Sequence, residues 1–225
     1  AADRGGLIGE RGTLTLDDGR LIGGQFGPRL DNEGTITGDG EIEPVVENRH
    51  VGIVRVGPEQ HLVLGGLVNQ ASVEVDRGEL AVNGEFENFA TVELANATLR
   101  AGQPQSGGLS NLGGGELRLY NGENRVHGNV TNGGRLIVTG DSRATFFDPV
   151  ENQVFFSVSA GSTALFLDDY TGAGIVGDGE VVFAGDVNLS LGQQLVQFEY
   201  DVGFTAAADW TVGGAPLGHD GILSR

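Results

Sequence analysis

The sequence predicts an all-β protein, a single-stranded parallel β-solenoid of about nine coils. The first observation is a position that recurs at intervals of 16 to 23 residues, occupied by Glu10, Asn32, Asn48, Asn69, Asn88, Asn111, Asn132, Asn152 and Gly172. The second is the short segment of alternating apolar and polar residues that follows most of these positions, which is the pattern of a half-buried strand. The third is the content of 40 glycines, which leaves no stretch of a dozen residues with uninterrupted helical periodicity. A unit of about twenty residues cannot bury its apolar side chains alone, so neighbouring units are expected to stack.

Pairs of similar segments define the register of the repeat. Residues 69–75 (NQASVEV) match 88–94 (NFATVEL), residues 142–148 (SRATFFD) match 162–168 (STALFLD), and residues 10–16 (ERGTLTL) match 32–37 (NEGTIT). Within each repeat we expect two or three short strands, such as 73–75 and 80–82 in one coil. Asp-Gly, Asn-Gly and Gly-Gly pairs between the strands are typical of tight turns.

The recurring asparagines are expected at the same corner of every coil. An asparagine suits a corner because its side chain bonds local backbone and because it tolerates left-handed backbone geometry. Stacked asparagines can also point inward and bond one another, as they do in cross-β assemblies. The sequence leaves both arrangements open for the corner ladder, which comprises Asn32, Asn48, Asn69, Asn88, Asn111, Asn132 and Asn152.

The middle residue of successive strands forms a predicted outward column. Its members are Thr15, Thr37, Arg55, Glu74, Glu93, Arg118 and Ile137. Stacking would place Arg55 beside Glu74, Glu74 beside Glu93, and Glu93 beside Arg118. Exposed ion pairs of this kind contribute about 0–1 kcal/mol, so they indicate register more than stability.

Composition limits the classes of partner. The formal net charge is −18, from 31 acidic residues and 13 basic residues that are all arginine. This charge argues against nucleic acid and against docking on anionic lipid, and it suits solubility at high salt. The chain has no cysteine, hence no disulfide framework, and no apolar run is long enough for membrane insertion. The start at Ala1 is not a signal peptide and is compatible with a mature terminus or a fragment.

Two regions are expected along the chain. Residues 1–185 form the solenoid repeats, with an insertion at 100–108 that loops out of its coil. Residues 186–225 depart from the repeat and are expected to form a C-terminal cap or an arm that pairs with another subunit. The candidate residues for capping or assembly are Phe198, Tyr200, Phe204 and Trp210.

Several segments resemble a known group of repeat proteins. They are residues 132–140 (NGGRLIVTG), 142–148 (SRATFFD), 156–164 (FSVSAGSTA) and 177–183 (GDGEVVF). These strings resemble the secreted bacterial autotransporter-passenger-like β-helix repeats found in large surface proteins of planctomycetes, cyanobacteria and proteobacteria. The loop similar to Ser-Pro-Gly-Asn-Ser-Pro that often follows in that family is absent, and Ala184-Gly185-Asp186 stands in its place. The resemblance implies a right-handed parallel β-helix that is exported to the extracellular space or cell surface, with a surface, adhesive or matrix role and no catalytic residues.

The sequence gives little evidence for catalysis or metal binding. The four histidines share no metal-ligand spacing, and no nucleophile constellation or phosphate loop is present. Asp17-Asp18, Asp168-Asp169 and the Gly-Asp-Gly-Glu strings at 38–41 and 177–180 could offer oxygens to Ca²⁺, but turn formation explains them more simply. A polysaccharide lyase would have to use Arg77, Arg100 or Arg118 as its base. We therefore expect no enzyme, no catalytic or metal site, and no cofactor, with Ca²⁺ kept open.

The predicted function is structural. We expect an exported protein that associates with itself into a homopolymer, by β-pairing between subunits, to build a filament, sheath or surface layer. The alternative is a surface adhesin or glycan-binding module that contacts surface polysaccharide through aromatic residues such as Trp210. A polysaccharide lyase or hydrolase is the third hypothesis.

Overall fold

The computed structural model describes residues 6–23, 28–102 and 107–189, together with the backbone of three short strands at 204–206, 210–212 and 215–216. The described chain is all-β, and its strands stack in parallel into a solenoid of about nine turns, which confirms the predicted fold class. No helix in the described part has the length and apolar character needed to cross a bilayer.

The strands follow one another along the chain in short segments. The first ten are β1 Gly6–Ile8, β2 Thr13–Leu21, β3 Arg29–Asn32, β4 Thr35–Asn48, β5 Ile53–Val56, β6 His61–Asn69, β7 Ser72–Asp76, β8 Glu79–Val82, β9 Phe86–Asn88 and β10 Thr91–Ala95. The next nine are β11 Thr98–Ala101, β12 Gly108–Asn111, β13 Glu116–His127, β14 Asn129–Asn132, β15 Arg135–Phe146, β16 Val150–Asn152, β17 Phe155–Val158, β18 Thr163–Phe166 and β19 Tyr170–Gly172. The last six are β20 Ile175–Val176, β21 Glu180–Phe183, β22 Val187–Leu189, β23 Phe204–Ala206, β24 Trp210–Val212 and β25 Ala215–Pro216.

Pairing between coils arranges these strands in three stacks, which we call faces A, B and C. Face A contains β5, β7, β10, β17 and β20 with the first parts of β2, β4, β13 and β15. Face B contains β8, β11, β18, β21 and β23 with the second parts of β2, β13 and β15, the middle of β4 and the first part of β6. Face C contains β1, β3, β9, β12, β14, β16, β19, β22 and β24 with the last parts of β4 and β6.

The predicted register is confirmed on faces A and C. On face A the outward column pairs Arg55 with Glu74, Glu74 with Glu93, and Glu93 with Arg118. On face C each asparagine of the ladder lies opposite the next one, and Asn152 lies opposite Gly172. Register is strongly specified here because a slip of one residue would turn the buried side chains outward.

The core runs along the solenoid as one continuous apolar column and changes in composition along its length. In the earlier coils it is built mainly from Val, Leu and Ile side chains, with Phe86 as the one aromatic residue among the described core residues there. In the later coils the aromatic rings of Phe146, Phe166 and Phe183 stack with centroids 5.0 Å apart, and Tyr170 contacts Phe166 edge-on at 5.0 Å. Aromatic pairs in these geometries add stabilisation beyond the area that they bury.

The first coil departs from the expected repeat. Ile8, and not Glu10, lies opposite Asn32, although Thr13 lies opposite Thr35 as expected. The interval between the corner and the following strand is therefore two residues longer in the first coil. Glu10 lies in an exposed turn, and its assignment to the recurring corner was wrong.

The expected insertion at 100–108 is shorter than predicted. Arg100 and Ala101 belong to β11, and Gly108 begins β12. Residues 103–106 lie outside the described part of the chain.

Parallel pairing continues beyond residue 185. Strand β22 pairs with β19, β23 with β21, and β24 with β22. Strand β25 then pairs antiparallel with β24, the one antiparallel pairing among the described strands. Of the candidate residues in this region, Phe198 and Tyr200 lie outside the described residues. Phe204 begins β23 and Trp210 begins β24, and only their backbone is described.

Candidate functional site

The asparagine ladder is buried and points inward. All seven side chains are at most 1% exposed. The Nδ2 group of each asparagine from Asn32 to Asn132 donates to the Oδ1 of the asparagine in the next coil at 2.7–2.8 Å, and the last acceptor is Asn152. The same Nδ2 groups also donate to backbone carbonyls, such as that of Ile53 for Asn32. Of the two arrangements that the sequence left open, the structure has the inward ladder.

Both ends of the ladder are closed by other residues. Ile8 occupies the corner position before Asn32. At the other end Asn152 Nδ2 donates to the Tyr170 hydroxyl at 2.9 Å, and that hydroxyl donates to the Ala173 carbonyl at 2.6 Å. Burial raises the pKa of Tyr170 far above its ordinary value, so the hydroxyl keeps the proton that it donates. Gly172, which holds the corner position of this coil, has φ +122° and no side chain, and a Cβ there would collide with the Asn152 carbonyl.

A second, shorter polar column lies at the corner between faces A and B. Asn124 Nδ2 donates to Ser142 Oγ at 2.9 Å, and Ser162 Oγ accepts from the Ser142 backbone N–H at 3.2 Å. Asn124 Oδ1 accepts from the Ala97 N–H. The sequence analysis missed this column because its members are chemically different, and only the match of Ser142 with Ser162 signalled it.

The outer surface of the earlier coils is a network of ion pairs. Every ion pair in the described part of the chain lies between Arg20 and Arg135. Arg55 pairs with Glu74 at 2.7 Å, and Arg118 reaches Glu93 at 3.6 Å. Glu47 is 4% exposed although it occupies an outward position, because Arg29 and Arg49 cover and pair with its carboxylate. Its burial was not predictable from the alternating pattern.

The outer surface of the later coils is different. Residues 136–189 contain eight acidic residues and one arginine, Arg143. On face B the outward side chains of Phe147, Leu165, Leu167 and Val182 lie next to one another, and we call this set the apolar strip. Leu167 is 42% exposed and the other three are half-buried. The His127 and Phe147 rings are stacked with their centroids 4.1 Å apart, so the His127 imidazole lies at one end of the apolar strip.

A row of carboxylates borders the apolar strip at the corner between faces B and C. It comprises Asp148, Asp168, Asp169 and Asp186, which we call the carboxylate corner. Asp148 accepts from the Gly128 N–H at 2.7 Å, and Asp169 accepts from the Asp186 N–H at 3.1 Å. Within the described part of the chain, none of the four forms an ion pair with an arginine.

Three of the other candidate residues, Asp39, His50 and His61, lie against specific neighbours in the solenoid. Asp39 accepts from the His61 backbone N–H, so this acid of the 38–41 string bonds backbone in the next coil. His50 lies 3.7 Å from Glu33 and His61 lies 3.4 Å from Glu79, which places each beside a carboxylate. Among the described residues, no three His, Asp or Glu side chains are grouped so that they could hold a metal ion. Tyr170 is fully buried and cannot stack on a glycan, whereas the Trp210 side chain is not described.

Comparisons with protein-family models, with curated proteins and with solved structures found no match to this chain.

Proposed function

We propose that this protein is an exported structural protein whose solenoid is a building unit of an extracellular filament, sheath or surface layer. The observation that carries the proposal is the pairing of the strands at the two ends of faces A and B. Among the described residues, β2 at one end runs along faces A and B and pairs only with β4. At the other end, β20 on face A pairs only with β17, and β23 on face B pairs only with β21. Each of these strands therefore has one edge that can accept a strand from another copy.

Head-to-tail contact between the edges at these two ends would continue the parallel stacking from one copy to the next. Contact between two different surfaces that does not close on itself produces a fibre. On face C the equivalent edge of β24 is taken by β25, and Pro216 in β25 has no N–H to offer to a further strand. This supports contact through faces A and B rather than through all three faces.

The edge of β2 can be tested by a substitution that leaves the fold intact. On β4, Thr35 donates its N–H back to the Gly12 carbonyl, and Thr13 is the partner of Thr35 on β2. The Thr13 N–H therefore points to the outer edge of β2. Thr13→Pro removes this donor without removing a bond to β4, and proline is tolerated at the first residue of a strand. Thr13→Val keeps the N–H and is the matched control.

Sedimentation velocity and negative-stain electron microscopy over a range of protein and salt concentrations give the readout. We expect the unaltered chain and Thr13→Val to form chains of increasing length as concentration rises. Added salt should favour them, because it screens repulsion between copies of charge −18. Thr13→Pro should remain monomeric. A monodisperse monomer for the unaltered chain under every condition would overturn the proposal.

A further inference from the structure

We propose that the apolar strip and the carboxylate corner together form a docking surface for a cationic amphipathic helix of a partner protein. This inference does not depend on self-association of the solenoid. The docking surface lies on the side of the solenoid, on face B of the later coils, and does not include the ends.

The first argument is the juxtaposition of exposed apolar side chains with unneutralised charge. Leu167 is directly followed by Asp168, and Phe147 by Asp148, so that an apolar residue and a carboxylate recur side by side in successive coils. In the earlier coils arginines cover such carboxylates, as Arg29 and Arg49 do for Glu47. At the carboxylate corner, no arginine within the described part of the chain does so. A partner that brings both apolar and basic groups would bury the strip and pair with the corner.

The second argument is the direction of the two features. Stacked coils repeat at about 4.8 Å, so the apolar strip and the carboxylate corner both run along the solenoid axis, side by side. The backbone bonds from Val150 to Asp169 and from Tyr170 to Asp186 show that the corner continues from coil to coil. The partner must therefore present an apolar stripe and a basic stripe that are parallel and adjacent.

An α-helix has this property and an extended strand does not. Residues three and four apart on a helix form stripes along its axis, so an apolar stripe can lie beside a basic one. Successive side chains of a strand point to opposite faces, so one of its two stripes would turn away from the surface. Asp148 and Asp186 lie two coils apart, which is about 10 Å along the solenoid axis. This distance corresponds to about two turns of the partner helix.

A second copy of this chain is the less complementary occupant. It would bring its own carboxylates towards the same corner, and residues 136–189 contain only Arg143 as a basic residue to oppose them. Self-association through the strip would therefore contradict the proposal.

The test uses the full chain and a designed peptide of about 14 residues, made of Leu, Lys and Ala so that a leucine stripe lies beside a lysine stripe in the helix. A peptide of the same composition in scrambled order is the peptide control. Affinities are measured by isothermal titration calorimetry at low and moderate salt. Circular dichroism of each variant checks that the solenoid is intact.

Two variants alter the docking surface, and two control variants make the corresponding changes at exposed positions outside it. Leu167→Ser removes the most exposed side chain of the strip, and Val51→Ser is its control because Val51 is 61% exposed on a corner outside the surface. The double variant Asp148→Asn, Asp168→Asn removes two charges but keeps oxygen acceptors for the backbone. Asp17→Asn, Asp18→Asn removes two adjacent exposed charges at the other end of the solenoid.

We expect the amphipathic peptide to bind more tightly than the scrambled peptide. Leu167→Ser should weaken binding about threefold, and the Asp148, Asp168 double variant about tenfold with a smaller dependence on salt. The two control variants should change affinity by less than about twofold. Equal binding of both peptides, or equal effects of the surface and control variants, would overturn the proposal. A dimer of the unaltered chain that Leu167→Ser dissociates without peptide would also overturn it and assign the strip to a second copy.

Discussion

Replacing one asparagine in the middle of the ladder tests whether the ladder stabilises the solenoid. Asn88 takes part in five hydrogen bonds. Its Nδ2 donates to Asn111 Oδ1 at 2.7 Å and to the Ala90 and Glu116 carbonyls, and its Oδ1 accepts from Asn69 Nδ2 at 2.8 Å and from the Ala90 N–H. Asn88→Ala removes all five and leaves several of the partners buried.

The magnitude follows from these bonds. A buried hydrogen bond contributes about 1 kcal/mol net, so five set an upper value of about 5 kcal/mol. The contribution is smaller than this because the two Nδ2 hydrogens are shared among three acceptors. Water that enters the space left by the amide recovers part of this, so we expect a loss of about 3–4 kcal/mol in the free energy of unfolding. Asn32 at the end of the ladder takes part in three such bonds, so Asn32→Ala should cost about 2 kcal/mol.

Urea unfolding followed by far-ultraviolet circular dichroism measures these differences. Asn129→Ala is the control, because Asn129 is exposed in β14, on the same face as the ladder. If Asn88→Ala lost no more stability than Asn129→Ala, or if Asn32→Ala lost more than Asn88→Ala, the reasoning would be refuted.

Two further predictions concern the core and pH. Phe166→Ala should lower the free energy of unfolding by about 3–5 kcal/mol, because Phe166 is 1% exposed and stacks between Phe146 and Phe183. The control is Phe155→Ala, at a side chain that is 41% exposed, which should cost less than about 1 kcal/mol in the same urea titration. The pKa of His127 lies below its ordinary value of 6.5, first because of burial and second because of Arg100. The folded protein therefore binds fewer protons than the unfolded chain just below pH 6.5, and stability should fall as pH decreases through this range. Urea midpoints at several pH values should show that His127→Gln reduces this fall, and an unchanged pH dependence would contradict the assignment.

The regular part of the fold was predictable from the sequence because each coil repeats the same physical requirements. The spacing of the asparagines set the register, and that register placed Arg55 beside Glu74 correctly. The inward direction of the ladder was not predictable, because a corner asparagine satisfies a turn equally well with its side chain outside. Glu10 was misplaced because a length difference of two residues in one coil does not change the alternating pattern on either side of it.

The features that were missed leave no mark on the recurring spacing. Tyr170 completes the bonding of Asn152 from a neighbouring position, and nothing in the recurring spacing pointed to a tyrosine. The burial of Glu47 depends on Arg29 and Arg49, which come from two different coils. The apolar strip was not recognised because its residues occupy outward strand positions, where single apolar residues are common.

The one-way bonding of the asparagine ladder has a consequence for how the gene can change. Each asparagine from Asn48 to Asn132 accepts a hydrogen bond from the asparagine of the coil before it and donates one to the asparagine of the coil after it. Duplication or deletion of one whole repeat in this stretch would therefore join compatible surfaces, while Ile8 and Tyr170 would still close the two ends. The length of the rod can thus vary by steps of about 4.8 Å per repeat during evolution, without any redesign of its termini.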